Sequence, residues 1–206
     1  KRYKFLRQKL NLPHSAFKPA FIDTGSFEGI PKGNAIFSRF PIGNERIIFF
    51  DTPFGKFNLG VNVIPSSEIQ YIPMSMLKAR IVINNKDFNV YSVHGIWGFD
   101  GKDNERRFAM SKTIVDEIKD RQNVILAGDF NVNPHTKTIE NIDKHLRSVF
   151  KNQLVSTFNM KHKLLPIYAA SVVDMIFVSR NMKIVDHYMP NVDVSDHMPL
   201  VCELEI

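Results

Sequence analysis

Met76 to Ile83 carries the pattern that most restricts what this chain can become. Leu77, Ala79, Ile81 and Ile83 alternate with Lys78, Arg80 and Val82. A period of two belongs to a strand with one buried face. Asn84-Asn85 follows, and then a second strand-like run from Asp87 to Val93. Asn tolerates positive φ, so the two runs read as a hairpin with a tight turn. Further strand-like runs cover Asn34 to Ser38, Ile47 to Phe50, Asn123 to Ala127, Val172 to Ser179, Lys183 to Tyr188 and Pro199 to Ile206. Asn123 to Ala127 is nearly all apolar, as expected of a strand covered on both faces.

Helices are fewer. In Asp103 to Arg121, Met110, Ile114 and Ile118 recur at steps of four and Val115 widens the stripe, the mark of an amphipathic helix. Asp103 is expected to cap its start. Thr136 to Arg147 reads as a second helix, capped by Thr136 after Pro134. Arg2 to Leu10 reads as a short basic helix that ends before Pro13. Strands outnumber helices, so the expected fold class is a layered α/β domain with mixed sheets. The 206 residues fit one domain, 1–206, without internal repeats or a linker of biased composition. Hydrophobic residues at 44% and charged residues at 23% exclude long disorder. No apolar run reaches the roughly 18 residues that a membrane-spanning helix needs. Cys202 is the single cysteine, which excludes an internal disulfide and favours a reducing compartment such as the cytoplasm.

The net charge of +6 is unevenly spread. Lys1, Arg2, Lys4, Arg7 and Lys9 crowd the first ten residues, and the remainder carries only +1. A basic end reads as a solvated helix face, whereas a basic surface throughout would argue for nucleic acid.

Four places gather chemistry. Gly128-Asp129-Phe130-Asn131 follows the apolar strand. Side chains two apart on an extended chain point the same way, so Asp129 and Asn131 are expected to face one cleft. A carboxylate beside an amide suits water activation with a donor aimed at a charged oxygen; the same residues also suit a plain turn before a helix. Ser195-Asp196-His197 pairs a carboxylate with an imidazole, as in a metal ligand beside an acid, base or phosphate donor, or simply a polar loop. Asp174 lies inside the apolar run Val172 to Val178, where a carboxylate is costly without a partner. His197 is the preferred partner, because a carboxylate fixes an imidazole's tautomer. His94 ends its strand before Gly95-Ile96-Trp97 and is placed to contact an oxyanion, or to sit satisfied and half-buried. Trp97 receives no role, and Arg106 and Arg107 are expected to be solvated. The chain has no Cys pair for zinc, no Walker loop, no dinucleotide glycine pattern and no nucleophile elbow.

Taken in order, Ser92-Val93-His94, Gly128-Asp129-Phe130-Asn131, Asp174-Met175-Ile176-Phe177-Val178-Ser179 and Ser195-Asp196-His197-Met198-Pro199-Leu200 closely resemble the endonuclease/exonuclease/phosphatase superfamily, which includes deoxyribonuclease I and the apurinic endonucleases. Gly33 to Ile42 also looks like that family's strand beyond its first helix. The resemblance implies a four-layer sandwich of two mixed β-sheets flanked by helices, and hydrolysis of a phosphoester with Mg2+ or Mn2+. It implies that Asp129 positions or deprotonates water, that Asn131 and His94 contact the phosphate, and that His197 acts as acid, base or phosphate donor oriented by Asp174. Asp196 and Asp129 become the implied metal ligands. The family opens with a strand carrying an Asn and another ending in Gln-Glu. This chain begins after that point, so it is expected to be an N-terminally truncated fragment with an incomplete metal site and a bare sheet edge. Three activities follow: a phosphodiesterase or nuclease, a phosphomonoesterase acting on a lipid, sugar or nucleotide, and a catalytically silent binding module or inactive fragment. Specificity is expected on the loops Asp51 to Met74 and Gly98 to Asn104.

Overall fold

A computed structural model describes residues 2–25, 28–59, 71–98 and 100–206. Lys1 and parts of both expected specificity loops (60–70 and Phe99) lie outside the described residues. The elements in chain order are α1 (Arg2–Lys9), β1 (His14–Asp23), β2 (Ile30–Ser38), β3 (Ile42–Phe49), β4 (Gly55–Phe57), β5 (Ser75–Ile83), β6 (Lys86–His94), α2 (Glu105–Ile118), β7 (Val124–Asp129), α3 (Lys137–Asp143), β8 (Arg147–Ser148), β9 (Asp174–Val178), β10 (Lys183–Tyr188) and β11 (Val201–Glu205). A short 3-10 turn spans Pro166–Ala170.

The α/β fold has mixed sheets flanked by helices. Its main sheet has six strands in the order β3-β5-β6-β7-β9-β8. β6 and β7 run parallel, and the other neighbours are antiparallel. Alternation along β5 explains how both faces are used. Leu77, Ala79 and Ile81 pack with Ala16 of β1 and Ile36 of β2, while Met76 joins the cluster under the helices, with Met110, Ile114 and Ile118 of α2. The far face is covered in two pieces: the three-stranded sheet β2-β1-β4 and the β10-β11 hairpin. The hairpin packs through Ile184, Cys202 and Leu204 on a buried cluster that includes Phe88 and Val178. Outside the three-stranded sheet, α1 lays Tyr3 against Phe17, with ring centroids 5.2 Å apart, and bonds Ser15 at 2.7 Å.

The expected hairpin is present: Asn84 and Asn85 take φ of 51° and 60°, the values that a two-residue primed turn requires. Periodicity misses the short strands β4 and β8 and one long strand, β1. Pro19 and Lys18 interrupt its apolar pattern, and the register with β2 shifts between Pro19 and Phe21. A bulge is where a sheet admits proline.

Asp103 does not cap α2. Asn104 does, its side chain accepting from the Arg107 amide at 2.9 Å. Asp103 instead reaches across to α3, where its carboxylate accepts from the Lys137 and Thr138 amides at 2.8 and 3.0 Å and from the Thr138 hydroxyl at 2.7 Å. It therefore joins the starts of two helices. Partial burial opposes the charge on Asp103, but these bonds outweigh it and hold the carboxyl below its ordinary value. The carboxyl thus binds its proton less tightly in the folded state, and its contribution is lost as pH falls through the folded value. Asp103→Ala is expected to cost about 1 kcal/mol at neutral pH, the usual worth of a capping side chain. Urea unfolding at a series of pH values is expected to show that deficit shrinking below about pH 4.

Candidate active site

Register brings the first three site residues together. His94 pairs with Asp129 across β6 and β7. Asp129 pairs with Asp174 across β7 and β9. Three neighbouring strands therefore present an imidazole and two carboxylates in one row along the edge formed by their ends. Close packing at this edge requires glycine twice. A Cβ on Gly128, which has φ of 144°, would lie 2.1 Å from the Val93 carbonyl oxygen, and one on Gly95 would lie 2.2 Å from that of Phe130. Phe130 is fully buried and meets Phe177 edge to face at 5.4 Å. Removing such a ring costs about 3–5 kcal/mol, so it anchors the turn that carries Asp129 and Asn131.

His197 arrives from the loop before β11. Its Nδ1 lies 2.8 Å from Asp174 Oδ2, as the sequence predicts. Burial works against a charged imidazole there, but the hydrogen bond and charge of Asp174 outweigh it, and His197 stands above its ordinary value. Asp129 is pushed up to about 7, first by desolvation and then by the charge of Asp174. The Asn131 amide donates to Asp129 Oδ1 at 2.7 Å and moderates that rise. His94 opens onto the pocket, yet the protein around it desolvates the ring, and His197 adds repulsion, so its imidazole lies below the ordinary value.

Asn131 has φ of 55°, a conformation that Asn adopts more readily than most residues. Its side-chain amide donates to the Gly95 carbonyl at 3.1 Å and has a second proton to offer. His94, Asp129, Asn131 and His197 all line one cavity of about 230 Å³. Asp196 stands apart. Its Oδ2 lies 3.1 Å from Lys163 Nζ, and its Oδ1 accepts from the Ser195 hydroxyl at 3.2 Å. A larger groove of about 590 Å³ around Arg46, Arg80 and Arg121 holds none of the motif residues.

Ligand atoms of Asp129, Asp174 and His197 lie within 4.8 Å of one another. Asp129 Oδ1 is committed to Asn131, and Asp174 Oδ2 to His197. Each carboxylate keeps its other oxygen. Hard oxygen donors without thiolate suit a small divalent cation that retains several waters.

Arg107 overturns its sequence-based expectation. It is fully buried. Its guanidinium donates to the carbonyls of Ile96, Gly98, Lys102 and Asn131 and pairs with Asp100 at 3.1 Å. One side chain thereby ties the loop after His94 to the turn of Asn131. The signal was present, since Arg107 lies three and seven residues before Met110 and Ile114 on the buried stripe of α2. Arg106 is also engaged, bonding Asp51 at 2.5 Å. Trp97 is half-buried, packs against the main core and lines the cavity.

Thr157 and Asn159 carried no sequence signal, because they lie in a loop without period. The Thr157 hydroxyl accepts from the amides of Val173 and Asp174 at 3.1 and 3.2 Å, and its carbonyl accepts from the Met198 amide at 2.8 Å. Asn159 donates from its side chain to the Ser195 carbonyl at 2.9 Å and from its amide to the Asp196 carbonyl at 3.0 Å. The segment 157–159 thus splints both partners of the Asp174–His197 pair.

An imidazole–carboxylate pair, a second carboxylate and a candidate cation cluster thus stand together at the ends of three neighbouring strands. The family comparison agrees: the Endonuclease/Exonuclease/phosphatase family matches residues 4–197, and the chain belongs to it. A mannosyl-6-phosphatase from Bacteroides thetaiotaomicron is 20% identical, covering 100% of this chain and 82% of its own, with a TM-score of 0.68. The human Nocturnin catalytic domain with bound sulfate is 18% identical over 98% of this chain and 75% of its own, with a TM-score of 0.67. TDP2 from D. rerio, complexed with a single-strand DNA product, is 14% identical over 99% and 81%, with a TM-score of 0.68. At these identities the likenesses establish the fold. The search of curated proteins returns no significant match. Among the described residues no helix is long and apolar enough to cross a membrane.

Arg107→Met is expected to strand four carbonyls, those of Ile96 and Asn131 in buried bonds, and to lower stability by about 3 kcal/mol in urea unfolding, since each unmet buried polar group costs on the order of 1–3 kcal/mol. Arg107→Lys is expected to rescue little, because an ammonium cannot reproduce the planar fork.

Proposed function

We propose that this chain is the hydrolytic domain of a divalent-metal-dependent phosphoesterase. The observation that carries this reading is the row of His94, Asp129 and Asp174, closed by His197 on Asp174 at 2.8 Å. Asp129 accepts the proton of the attacking water as general base. His197, fixed through Nδ1, turns Nε2 toward the substrate and serves as acid or phosphate donor. Asn131 and His94 hold the non-bridging oxygens of the phosphate. Gly95 and Arg107 keep these groups in place through the backbone, which is where positioning gains its rate advantage. Asp129 and Asp174 would hold Mg2+ or Mn2+; Asp196, the ligand that the resemblance also implies, lies outside this cluster and pairs with Lys163. The ion would supply Lewis-acid stabilisation of charge on the phosphate.

A phosphodiester, as in a nuclease-like activity, is the first substrate reading, supported by the four ordered motifs. A phosphomonoester of a lipid, sugar or nucleotide is the second, favoured by the near-neutral charge outside the first ten residues. A nuclease is expected to show steep salt dependence of nucleic-acid binding, and a phosphomonoesterase a slope near zero.

The test is hydrolysis by the full-length protein with Mg2+, with Mn2+ and with chelator. Asp129→Ala is expected to reduce kcat by roughly 100-fold or more, the usual worth of a general base. Unchanged metal-dependent turnover in that variant would remove Asp129 from the mechanism. Asp174→Asn is expected to preserve folding and lower kcat, because the amide no longer supports a charged His197. The alkaline limb that His197 contributes to the pH–rate profile is expected to move to lower pH, because Asp174 no longer raises the imidazole.

A further inference from the structure

The cavity's charge inventory leaves one group without a part in the mechanism. Among its described lining residues, Lys163 is the single permanently charged cation. The acids there are Asp100, which pairs with the buried Arg107, and Asp129. The anion that this cavity is proposed to accept therefore has one lysine or arginine side chain to meet.

Lys163 is placed rather than loose. Its amide donates to the Asn159 carbonyl at 3.0 Å, so its backbone is anchored by the residue that also holds Ser195 and Asp196. Its ammonium lies over two aromatic rings, 5.6 Å from the centroid of Tyr168 and 6.0 Å from that of Phe158. Phe158 in turn packs against His197 at 4.5 Å. The charge thus sits on a shelf that touches the catalytic imidazole. Its partner is Asp196 at 3.1 Å, and half of that carboxylate's side-chain surface is open to solvent. Such an exposed pair is worth about 0–1 kcal/mol, so it can exchange for a better anion without moving the backbone.

We propose that Lys163 is a specificity-determining residue that leaves Asp196 for the substrate phosphate and selects a dianionic phosphomonoester over a monoanionic diester. This rests on the phosphoesterase reading above and commits to the second of its two substrate readings, the phosphomonoester. The physical basis is charge counting at a fixed position. Attraction to a dianion is about twice that to a monoanion at the same distance, and hydrogen bonds between charged partners are the strong ones. Lys163 acts on binding, while Asp129 and His197 act on bond cleavage.

The experiment compares 4-nitrophenyl phosphate with bis(4-nitrophenyl) phosphate, using the full-length protein, Lys163→Met and Lys163→Arg. Lys163→Met is expected to raise KM for the monoester about tenfold and for the diester about threefold, with kcat within about twofold for both. Lys163→Arg is expected to restore most of the monoester KM and serves as the folded control. In parallel, calorimetric titration with inorganic phosphate, without metal, is expected to show about tenfold weaker binding by Lys163→Met. The wild-type phosphate affinity is expected to fall more steeply with salt than the variant's. Equal KM changes for the two esters, or unchanged phosphate affinity in Lys163→Met, would overturn the proposal while leaving the hydrolytic reading intact. If the wild type hydrolyses neither ester yet phosphate affinity depends on Lys163, the anion site stands and the hydrolytic reading falls.

Discussion

Asp129 and Asp174 stand opposite each other on neighbouring antiparallel strands, and like charges so paired repel. The core enforces the pairing. Leu126 and Phe177 are also register partners and both are fully buried under the helices. A slip of one residue by either strand would turn its own member of this pair to the opposite face. The apolar packing therefore fixes the very juxtaposition that electrostatics resists. The surroundings absorb the conflict in part: the Asn131 amide bonds Asp129, His197 bonds Asp174, and Asp129 rises to about 7. What remains is a site with a standing demand for positive charge, from a proton, a cation or both.

How much of this was legible in the sequence follows from where each residue sits. Asp129 and Asp174 lie in apolar strands, so their place in the sheet could be inferred from periodicity, whereas Asn131 reaches the cavity from a left-handed turn that a period of two does not describe. The Asp174–His197 bond was inferable because a carboxylate inside Val172 to Val178 needs a partner. The closure of His94 onto Asp129 was not, since nothing local encodes that β6 and β7 are parallel neighbours. β1 was missed because Pro19 and Lys18 break its alternation, and only its pairing with β2 and β4 makes it a strand. Asp103 was read as a local cap, whereas its true partners lie 34 and 35 residues on. Short-range pattern reading sees a residue's own helix first.

The polar residues it missed share one physical task. Arg107, Thr157 and Asn159 are all buried, and each bonds the backbone of two segments that meet at the site. Loops that carry function have little apolar surface with which to pack, and buried backbone groups must still find partners. A polar side chain that satisfies several such groups at once replaces a core for those loops. Arg107 does this beneath the His94 side of the cavity, and Thr157 with Asn159 does it beneath the His197 side. Such networks are rigid when fully satisfied, which is the condition for holding catalytic groups within the small tolerances that orientation demands.

This arrangement divides labour between the sheet and one loop. His94, Asp129 and Asp174 ride on strands whose register the core dictates, so their mutual geometry cannot drift without unfolding the sheet. His197, Asp196 and Lys163 ride on segments that meet through Thr157, Phe158 and Asn159. Residues 160–168 continue from that splint and carry Lys163, Ile167 and Tyr168 to the cavity wall, with no strand pairing of their own. Side chains there can change size or charge while the splint and the sheet stay as they are. A fold that fixes His94, Asp129 and Asp174 by strand register and carries Lys163, Ile167 and Tyr168 on one adjoining loop can reshape its cavity wall by altering the loop alone.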